Sequence, residues 1–110
     1  MRILIGLQSL NNHILDHQNY HKLQGFVYEQ LISKTSFKDI HNTKTYKYFS
    51  YSNIFPNSIV KSGEIKYLIF SSPNYQLIQS IFKIIENILF NETIISIGEQ
   101  QYKINSAVLI

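Results

Sequence analysis

The 110-residue chain contains no cysteine and no tryptophan, and only two prolines and four glycines. Without cysteine it can form neither disulfide bonds nor thiolate metal sites, and it has no cysteine nucleophile. It also lacks an uninterrupted apolar run near the roughly 18 residues that a membrane-spanning helix needs, and its first residues are too few for the apolar core of a signal peptide. We therefore expect a cytoplasmic protein without a membrane partner, stabilised by packing alone.

Charge is scarce as well, with 15% charged residues and a net charge of +3. A balance this small fits an ordinary surface as well as a weak binder of polyanions. The content of hydrophobic residues is 45%, including 8 tyrosines and 7 phenylalanines, which is too apolar for a disordered chain. The length suits a single domain, so we treat residues 1–110 as one folding unit.

Arginine is nearly missing, because Arg2 is its only occurrence. Bidentate reading of guanine edges and phosphates is mostly the work of arginine, so any phosphate contact here would rest on lysine point charges. Separately, no DNA partner is expected. Between Lys34 and Lys66 the lysines alternate with tyrosine and phenylalanine. Such a mixture suits single-stranded nucleic acid, in which phosphates meet ammonium groups and bases meet ring faces. A lysine surface over buried aromatic residues explains the composition equally well.

The hydrophobic periodicity predicts strands and helices in alternation. A period of two indicates strands over residues 2–9, 45–51 and 65–70, a hairpin that turns on Gly63 and joins 59–61 to 64–71, and a closing hairpin of 93–97 and 101–109. Spacing of three and four predicts helices over 17–33, capped by Asp16, and over 73–90, capped by Ser72. This order predicts an α+β domain of the ferredoxin-like (RRM-like) βαββαβ type, an antiparallel sheet with two helices on one face.

Four segments carry a resemblance to a known family. A short helical turn is also predicted through Phe37, Ile40 and His41, and Ile40-His41 closes it. The other three segments read DHQNYHKLQGFVY over 16–28, YKYFSYS over 46–52 and LIFSSP over 68–73. The segment 16–28 resembles the Leu-Gln-Gly-x-[Ile/Val]-Tyr signature of CRISPR-associated endoribonucleases of the RAMP superfamily, which process precursor CRISPR RNA. The resemblance covers the whole of this chain. In the family, it corresponds only to the N-terminal of two tandem ferredoxin-like domains. It implies a second such domain or a homodimer as partner, and the apolar residues 107–110 lead us to expect a chain cut near the interdomain linker.

The resemblance implies a reaction that needs no metal or other cofactor. In the family, a ribose 2′-hydroxyl of CRISPR repeat RNA attacks the adjacent phosphate and leaves a 2′,3′-cyclic phosphate. Matched to this sequence, the motif positions fall on Tyr28, His41 and Lys47, whose side chains suit a base, an acid and a cation beside the phosphate. The RNA would be held at its phosphates by four lysines and at its bases by two tyrosines: Lys34, Lys38, Lys44, Lys61, Tyr46 and Tyr51.

Each assignment has a structural alternative. Tyr28 lies on the apolar side of its predicted helix and suits the core, His41 suits a helix end, and Lys47 suits a solvent-facing position between two aromatic strand residues. His17 and His21 have the spacing of two zinc ligands, but no third ligand is evident, and we expect no metal site. The resemblance to the family leads us to predict an endoribonuclease domain. The alternatives are a non-cleaving RNA-binding or assembly module of the same superfamily and, less favoured, a ferredoxin-like regulatory domain that binds a small molecule.

Overall fold

The computed structural model describes residues 1–14, 19–35, 49–56 and 59–110. These residues form strands and helices in the order β1 Arg2–Ser9, β2 His13–Ile14, α1 Asn19–Phe26, β3 Ser50–Tyr51, β4 Ile59–Val60, β5 Ile65–Ser71, α2 Tyr75–Phe90, β6 Ile94–Ile97 and β7 Gln100–Leu109. Within these ranges no helix has the length and apolar character needed to cross a membrane.

The first strand lies at the centre of an antiparallel sheet of five strands, in the order β3-β5-β1-β7-β6. Ile3, Ile5 and Leu7 are buried, whereas Leu4 between them and Gln8 after them are partly exposed, so the period of two predicted for these side chains is confirmed. The sheet consequently has an inner face, which is part of the core, and an outer face. The register with β7 shifts between Gly6 and Leu7, where β7 carries one extra residue.

The second helix is confirmed, but it starts two residues later than the sequence predicted. Asn74, rather than Ser72, is its N-cap, and its side-chain oxygen accepts a hydrogen bond from the amide of Leu77 at 3.1 Å. The Ser72 hydroxyl instead accepts one from the Asn74 amide at 3.0 Å. Asparagine takes the cap because its carbonyl reaches the free amide at the third helical position. The helix buries an apolar stripe against the sheet: Leu77, Ile78, Ile81 and Ile85.

The first helical region reaches the predicted end but changes type on the way. After α1 the chain continues as a π-helical segment, Val27–Leu31, and a 3₁₀ turn, Ile32–Lys34. The amide of Ile32 meets the carbonyls of both Val27 and Tyr28, which is the shared bonding expected where a turn widens. The predicted start at residue 17 and the Asp16 cap lie outside the described residues.

The turn at Gly63 is confirmed, whereas the predicted pairing around it is wrong. Gly63 has φ +92°, and the Glu64 amide bonds to the Lys61 carbonyl at 3.0 Å. However, β4 pairs with β2 rather than with β5, in a separate two-stranded sheet. The physical reason is that the turn is bonded to the end of β1: the Gly63 amide donates to the Ser9 carbonyl at 2.7 Å and the Ser9 amide to the Glu64 carbonyl at 2.8 Å. The chain before the turn is thereby placed beside the residues that follow β1.

One hydrophobic core joins the inner face of the sheet to both helical regions. The α+β class, with an antiparallel sheet and two helices, is therefore confirmed. The strand predicted over 45–51 is seen at Ser50–Tyr51, and its first residues lie outside the described ranges, as does the short turn predicted near residues 37–41. The closing hairpin agrees with prediction to within one residue.

Candidate functional site

Four of the predicted site residues lie within the described part of the chain: Tyr28, Lys34, Tyr51 and Lys61. The others lie outside the described residues: His41 and Lys47 of the predicted catalytic set, and Lys38, Lys44 and Tyr46 of the predicted RNA contacts.

Two of these residues, Tyr28 and Tyr51, meet the same phenylalanine. Phe49 contacts Tyr28 edge to face at 5.6 Å between ring centroids and is stacked with Tyr51 at 6.3 Å. It also stacks on Phe70 of β5 at 5.4 Å, with the ring planes only 14° apart. We call these four residues the aromatic cluster. The structure thus brings a predicted catalytic residue and a predicted base-stacking residue together around one buried ring.

Tyr28 enters the cluster from the π-helical segment. Its side chain is half-buried and packs against the core, so the structural alternative, a core tyrosine, describes its ring correctly. A phenol can both donate and accept a hydrogen bond, and π-helical turns occur frequently at functional sites. The position therefore combines a ring held by packing with a polar group that is capable of proton transfer.

The ring of Tyr51 is less exposed than the predicted base-stacking role requires. It lies opposite Phe70 in the sheet register, on the core side, and is half-buried. Because its ring stacks on Phe49 with the planes 19° apart, one ring face is already occupied. An RNA base would have only the remaining face and edge available.

Two of the lysines predicted to contact RNA, Lys34 and Lys61, are described by the structure. Both are exposed, and they belong to different parts of the fold. Lys34 ends the 3₁₀ turn and lines a shallow cavity of about 240 Å³ against the C-terminal part of α2, together with Asn87 and Asn91. Lys61 follows β4 in the Gly63 turn. Both have the solvent access that a phosphate contact requires.

Lys66 shows that the basic stretch of the sequence is not uniformly a surface. It lies on the inner side of β5, is only 3% exposed, and forms an ion pair with Glu64 at 3.6 Å. A buried lysine must be paired to offset the loss of its hydration, so this one contributes to the structure rather than to an RNA-facing charge. The solvated-surface interpretation of the lysines is therefore wrong at this position.

Phe49 was not among the predicted site residues, although the alternation in 46–51 places it on the same side as Tyr51. The period of two was thus a signal for this contact. Its meeting with Tyr28 depends on how the first helical region packs on the sheet, which the local pattern does not specify.

Among the described residues, one titratable group has a clearly shifted pKa. Burial on the inner face of β7 raises the pKa of Tyr102 to about 12, because the core disfavours the phenolate. Within the described ranges no three histidine, aspartate or glutamate side chains gather as a metal site would require.

No family model matches the chain. A search of curated proteins finds the CRISPR-associated endoribonuclease Cas6 2 of Methanocaldococcus jannaschii, 34% identical over 88 residues, which are 80% of this chain and 36% of that protein. The chain therefore spans about a third of the length of the curated relative that it matches.

Solved structures share the fold. A CRISPR-associated protein Cas6 superposes with a TM-score of 0.70 at 22% identity, over the whole chain and 48% of its own. A RAMP protein described as binding different RNA substrates gives 0.74 at 20% identity, over 97% and 47%. The product of a Cas6-related gene from Pyrococcus furiosus gives 0.70 at 20% identity, over 97% and 46%. The resemblance seen in the sequence is therefore confirmed: the chain is similar to a CRISPR-associated Cas6 endoribonuclease over about a third of that protein's length.

Proposed function

We propose that the chain is an endoribonuclease domain that binds and cleaves CRISPR repeat RNA. The observation that carries the proposal is the 34% identity to a CRISPR-associated endoribonuclease over 80% of this chain. Because that match covers only 36% of the relative, the proposal includes a second domain or a second copy of the chain as partner. The shared fold with a RAMP protein described as binding RNA supports the same class of substrate.

We further infer that residues 1–110 form one ferredoxin-like domain, the N-terminal of two. In a split βαβ unit, the two strands joined by a helix are separated by a third strand. The strand order supports this, because β5 lies between β1 and β3, whose connection contains α1, and β1 lies between β5 and β7, whose connection contains α2 and β6. On this interpretation β6 is an additional edge strand.

The proposed reaction needs no metal. The 2′-hydroxyl of a ribose loses its proton and attacks the adjacent phosphorus, the bond to the 5′-oxygen of the next nucleotide breaks, and that oxygen takes up a proton. The products are a 2′,3′-cyclic phosphate and a 5′-hydroxyl. Such a step requires a proton acceptor, a proton donor and a cation near the phosphate, roles that we assign to Tyr28, His41 and Lys47 as a set.

The described member of this set is compatible with its role. The ring of Tyr28 is packed on Phe49, and pre-positioning of a catalytic group lowers the entropic cost of reaching the reactive geometry. Phe49 follows 36–48 directly in sequence, the segment that contains the two other proposed catalytic residues. Packing of Phe49 in the core therefore anchors the chain immediately after them.

The test is a cleavage assay in EDTA. The purified chain is mixed with end-labelled CRISPR repeat RNA at two salt concentrations, and both the bound fraction and the chemistry of the product ends are determined. We expect salt-sensitive binding, because lysine–phosphate contacts release counterions, and a product that ends in a cyclic phosphate. A His41→Ala variant should lose cleavage and keep nearly the same RNA affinity.

Three results would contradict parts of this proposal. Cleavage that occurs only with a divalent cation would exclude the metal-independent route. Loss of binding in parallel with cleavage in His41→Ala would make His41 a structural residue. A chain that neither binds nor cleaves repeat RNA, even with a separately supplied second domain, would overturn the function.

A second function, a non-cleaving RNA-binding or assembly module, is favoured by one observation. The chain spans 36–48% of the length of the relatives it matches, so residues needed for turnover in those proteins need not be present here. This alternative predicts salt-sensitive binding with no product in the same assay, and cleavage only after the second domain is added.

A further inference from the structure

The outer face of the five-stranded sheet carries a pair of neighbouring aromatic rings. Phe55, which precedes β4, forms an antiparallel β-bridge with Tyr67 of β5. The Phe55 amide donates to the Tyr67 carbonyl at 2.9 Å, and the Tyr67 amide donates to the Phe55 carbonyl at 2.8 Å. The ring centroids are 6.0 Å apart with the planes inclined by 33°. Phe55 is 36% exposed and Tyr67 is partly exposed. The rings thus stand on hydrogen-bonded backbone and reach solvent, outside the aromatic cluster around Phe49.

Across the sheet from Phe55 and Tyr67, the next residues at the same level are Gly6 of β1 and Ser106 of β7. Gly6 lies opposite Tyr67 on one side and opposite Ser106 on the other. A Cβ placed on Gly6 would lie only 2.5 Å from the Ser106 hydroxyl oxygen, so that hydroxyl occupies the space over the glycine, on the side of Tyr67. Because neighbouring strands lie about 4.8 Å apart, the row places a hydrogen-bonding group next to the two rings.

The charge on this face has one sign. Arg2 and Lys103 lie on its outer side, opposite Ser71 and Gln8 in the register, and none of the five strands contains aspartate or glutamate. Lys103 is one row away from Gly6 and Ser106, a step of about 7 Å along the strands. Rings that offer stacking surfaces, a hydroxyl beside them and cations at this spacing match successive bases and phosphates of a single strand.

We propose that Phe55 and Tyr67 form a stacking site for unpaired RNA bases, with Ser106 hydrogen-bonding to a base edge and Lys103 contacting a phosphate. This inference rests on the proposed function, because it names the surface on which an RNA substrate is held. It assigns binding to the outer face of the sheet, on two residues that were not among the predicted site residues.

The test compares RNA affinity of Tyr67→Ala with that of Tyr67→Phe, using a fluorescent single-stranded uridine oligomer of about 12 nucleotides and the same strand annealed to its complement. Stacking of a base on an aromatic ring makes removal of the ring weaken single-strand binding by about 5- to 100-fold. Tyr67→Phe keeps the ring and should bind within about twofold of the unmodified chain. The matched control is Tyr75→Ala, because Tyr75 is 57% exposed on α2, which packs on the opposite face.

The salt dependence separates the two kinds of contact. Tyr67→Ala should keep the slope of affinity against salt, whereas Lys103→Ala should reduce it by about one counterion. The duplex should be insensitive to Tyr67→Ala, because its bases are already stacked. Equal single-strand affinity in Tyr67→Ala and the unmodified chain would overturn the stacking site and leave the proposed function intact. Absence of all RNA binding by the unmodified chain would instead refute the proposed function.

A second measurement does not depend on the folding of any variant. The unmodified chain is crosslinked by ultraviolet light to the same oligomer containing 5-iodouridine, and the modified peptide is identified by mass spectrometry. We expect crosslinks to Phe55 or Tyr67, and crosslinks confined to other segments would overturn the inference. A Tyr67→Ala variant with unchanged RNA affinity but a changed sedimentation coefficient would assign this face to a protein contact instead.

Discussion

The ring of Tyr28 meets the ring of Phe49 edge to face, with the centroids 5.6 Å apart and the planes at 67°. Aromatic pairs prefer this arrangement because the electropositive edge of one ring meets the electronegative face of the other. Packing therefore helps to position the Tyr28 ring, so removal of its hydroxyl and removal of its ring are expected to have different consequences.

Tyr28→Phe should lower single-turnover cleavage of repeat RNA by about 10²- to 10⁴-fold, the contribution of a group that transfers a proton. Its free energy of unfolding should fall by no more than about 1–2 kcal/mol, since the ring remains in place. Cleavage is followed with end-labelled RNA and stability by urea unfolding. Tyr75→Phe is the matched control, because Tyr75 is an exposed tyrosine outside the aromatic cluster. Normal cleavage by Tyr28→Phe would restrict Tyr28 to a structural role.

Phe49→Ala should be strongly destabilising. Phe49 is 8% exposed and contacts three other rings, so its removal leaves a cavity that the neighbouring rings cannot fill. We expect the free energy of unfolding to fall by about 3–5 kcal/mol in urea titrations. Phe90→Ala provides the comparison, because Phe90 is 89% exposed and its loss should cost less than about 0.5 kcal/mol. Similar costs for the two variants would contradict the central position of Phe49 in the cluster.

Gly25→Ala should stabilise the chain. Gly25 lies in α1, and apart from its chain neighbours and the helix backbone, a Cβ at this position would meet no heavy atom within 4 Å. Alanine is favoured over glycine inside a helix by about 0.5–1 kcal/mol, because it loses less backbone entropy on folding. Thermal unfolding measures the gain.

The same variant tests the glycine of the Leu-Gln-Gly motif. A glycine inside a helix can allow close backbone packing or approach of a ligand, and the described residues show no such packing around Gly25. If Gly25→Ala is more stable but binds repeat RNA less tightly, the glycine is needed for approach of the RNA. A variant with lower stability would contradict the open surroundings of Gly25.

Tyr102 should make the stability fall at alkaline pH. Its pKa is raised from about 10 when unfolded to about 12 when folded. The contribution of the buried neutral phenol is therefore fully present below pH 10 and is lost as the pH rises through about 12. The shift corresponds to a loss of at most about 3 kcal/mol.

The measurement is the free energy of urea unfolding at pH values from about 9 to about 12. Tyr102→Phe lacks the ionisable hydroxyl, so its free energy of unfolding should fall less steeply with pH, while the contribution of the lysines to the slope is unchanged. Identical slopes for the variant and the unmodified chain would show that Tyr102 does not carry the shift. In that case the two curves of unfolding free energy against pH would differ only by a constant offset, which is the contribution of the hydroxyl's hydrogen bonding.

The parts of this fold that depend on residues close together in the sequence could be predicted from it. The alternation of Ile3, Ile5 and Leu7 with less buried residues specified β1, and the stripe from Leu77 to Ile85 specified α2. Both patterns reflect a single repeating geometry along the chain, so they can be read without knowing the partner of each face. The Leu-Gln-Gly-Phe-Val-Tyr segment likewise pointed to the Cas6 relatives before any contact was visible.

The tertiary structure decided which elements meet. The pairing of β4 with β2 follows from hydrogen bonds between the Gly63 turn and Ser9, residues more than fifty positions apart in the chain. Meetings of this kind depend on the path of the whole chain, because a strand edge bonds to whichever backbone lies beside it.

The same holds for the side-chain sites. The packing of Tyr28 on Phe49, the burial of Lys66 and the pairing of Phe55 with Tyr67 join residues whose local patterns are ordinary. The sequence by itself indicated the longer strands, the two helical regions and the family that this chain resembles. Only the tertiary structure decided which rings are buried together and which face solvent, because that depends on contacts between distant segments rather than on the periodicity of any one of them.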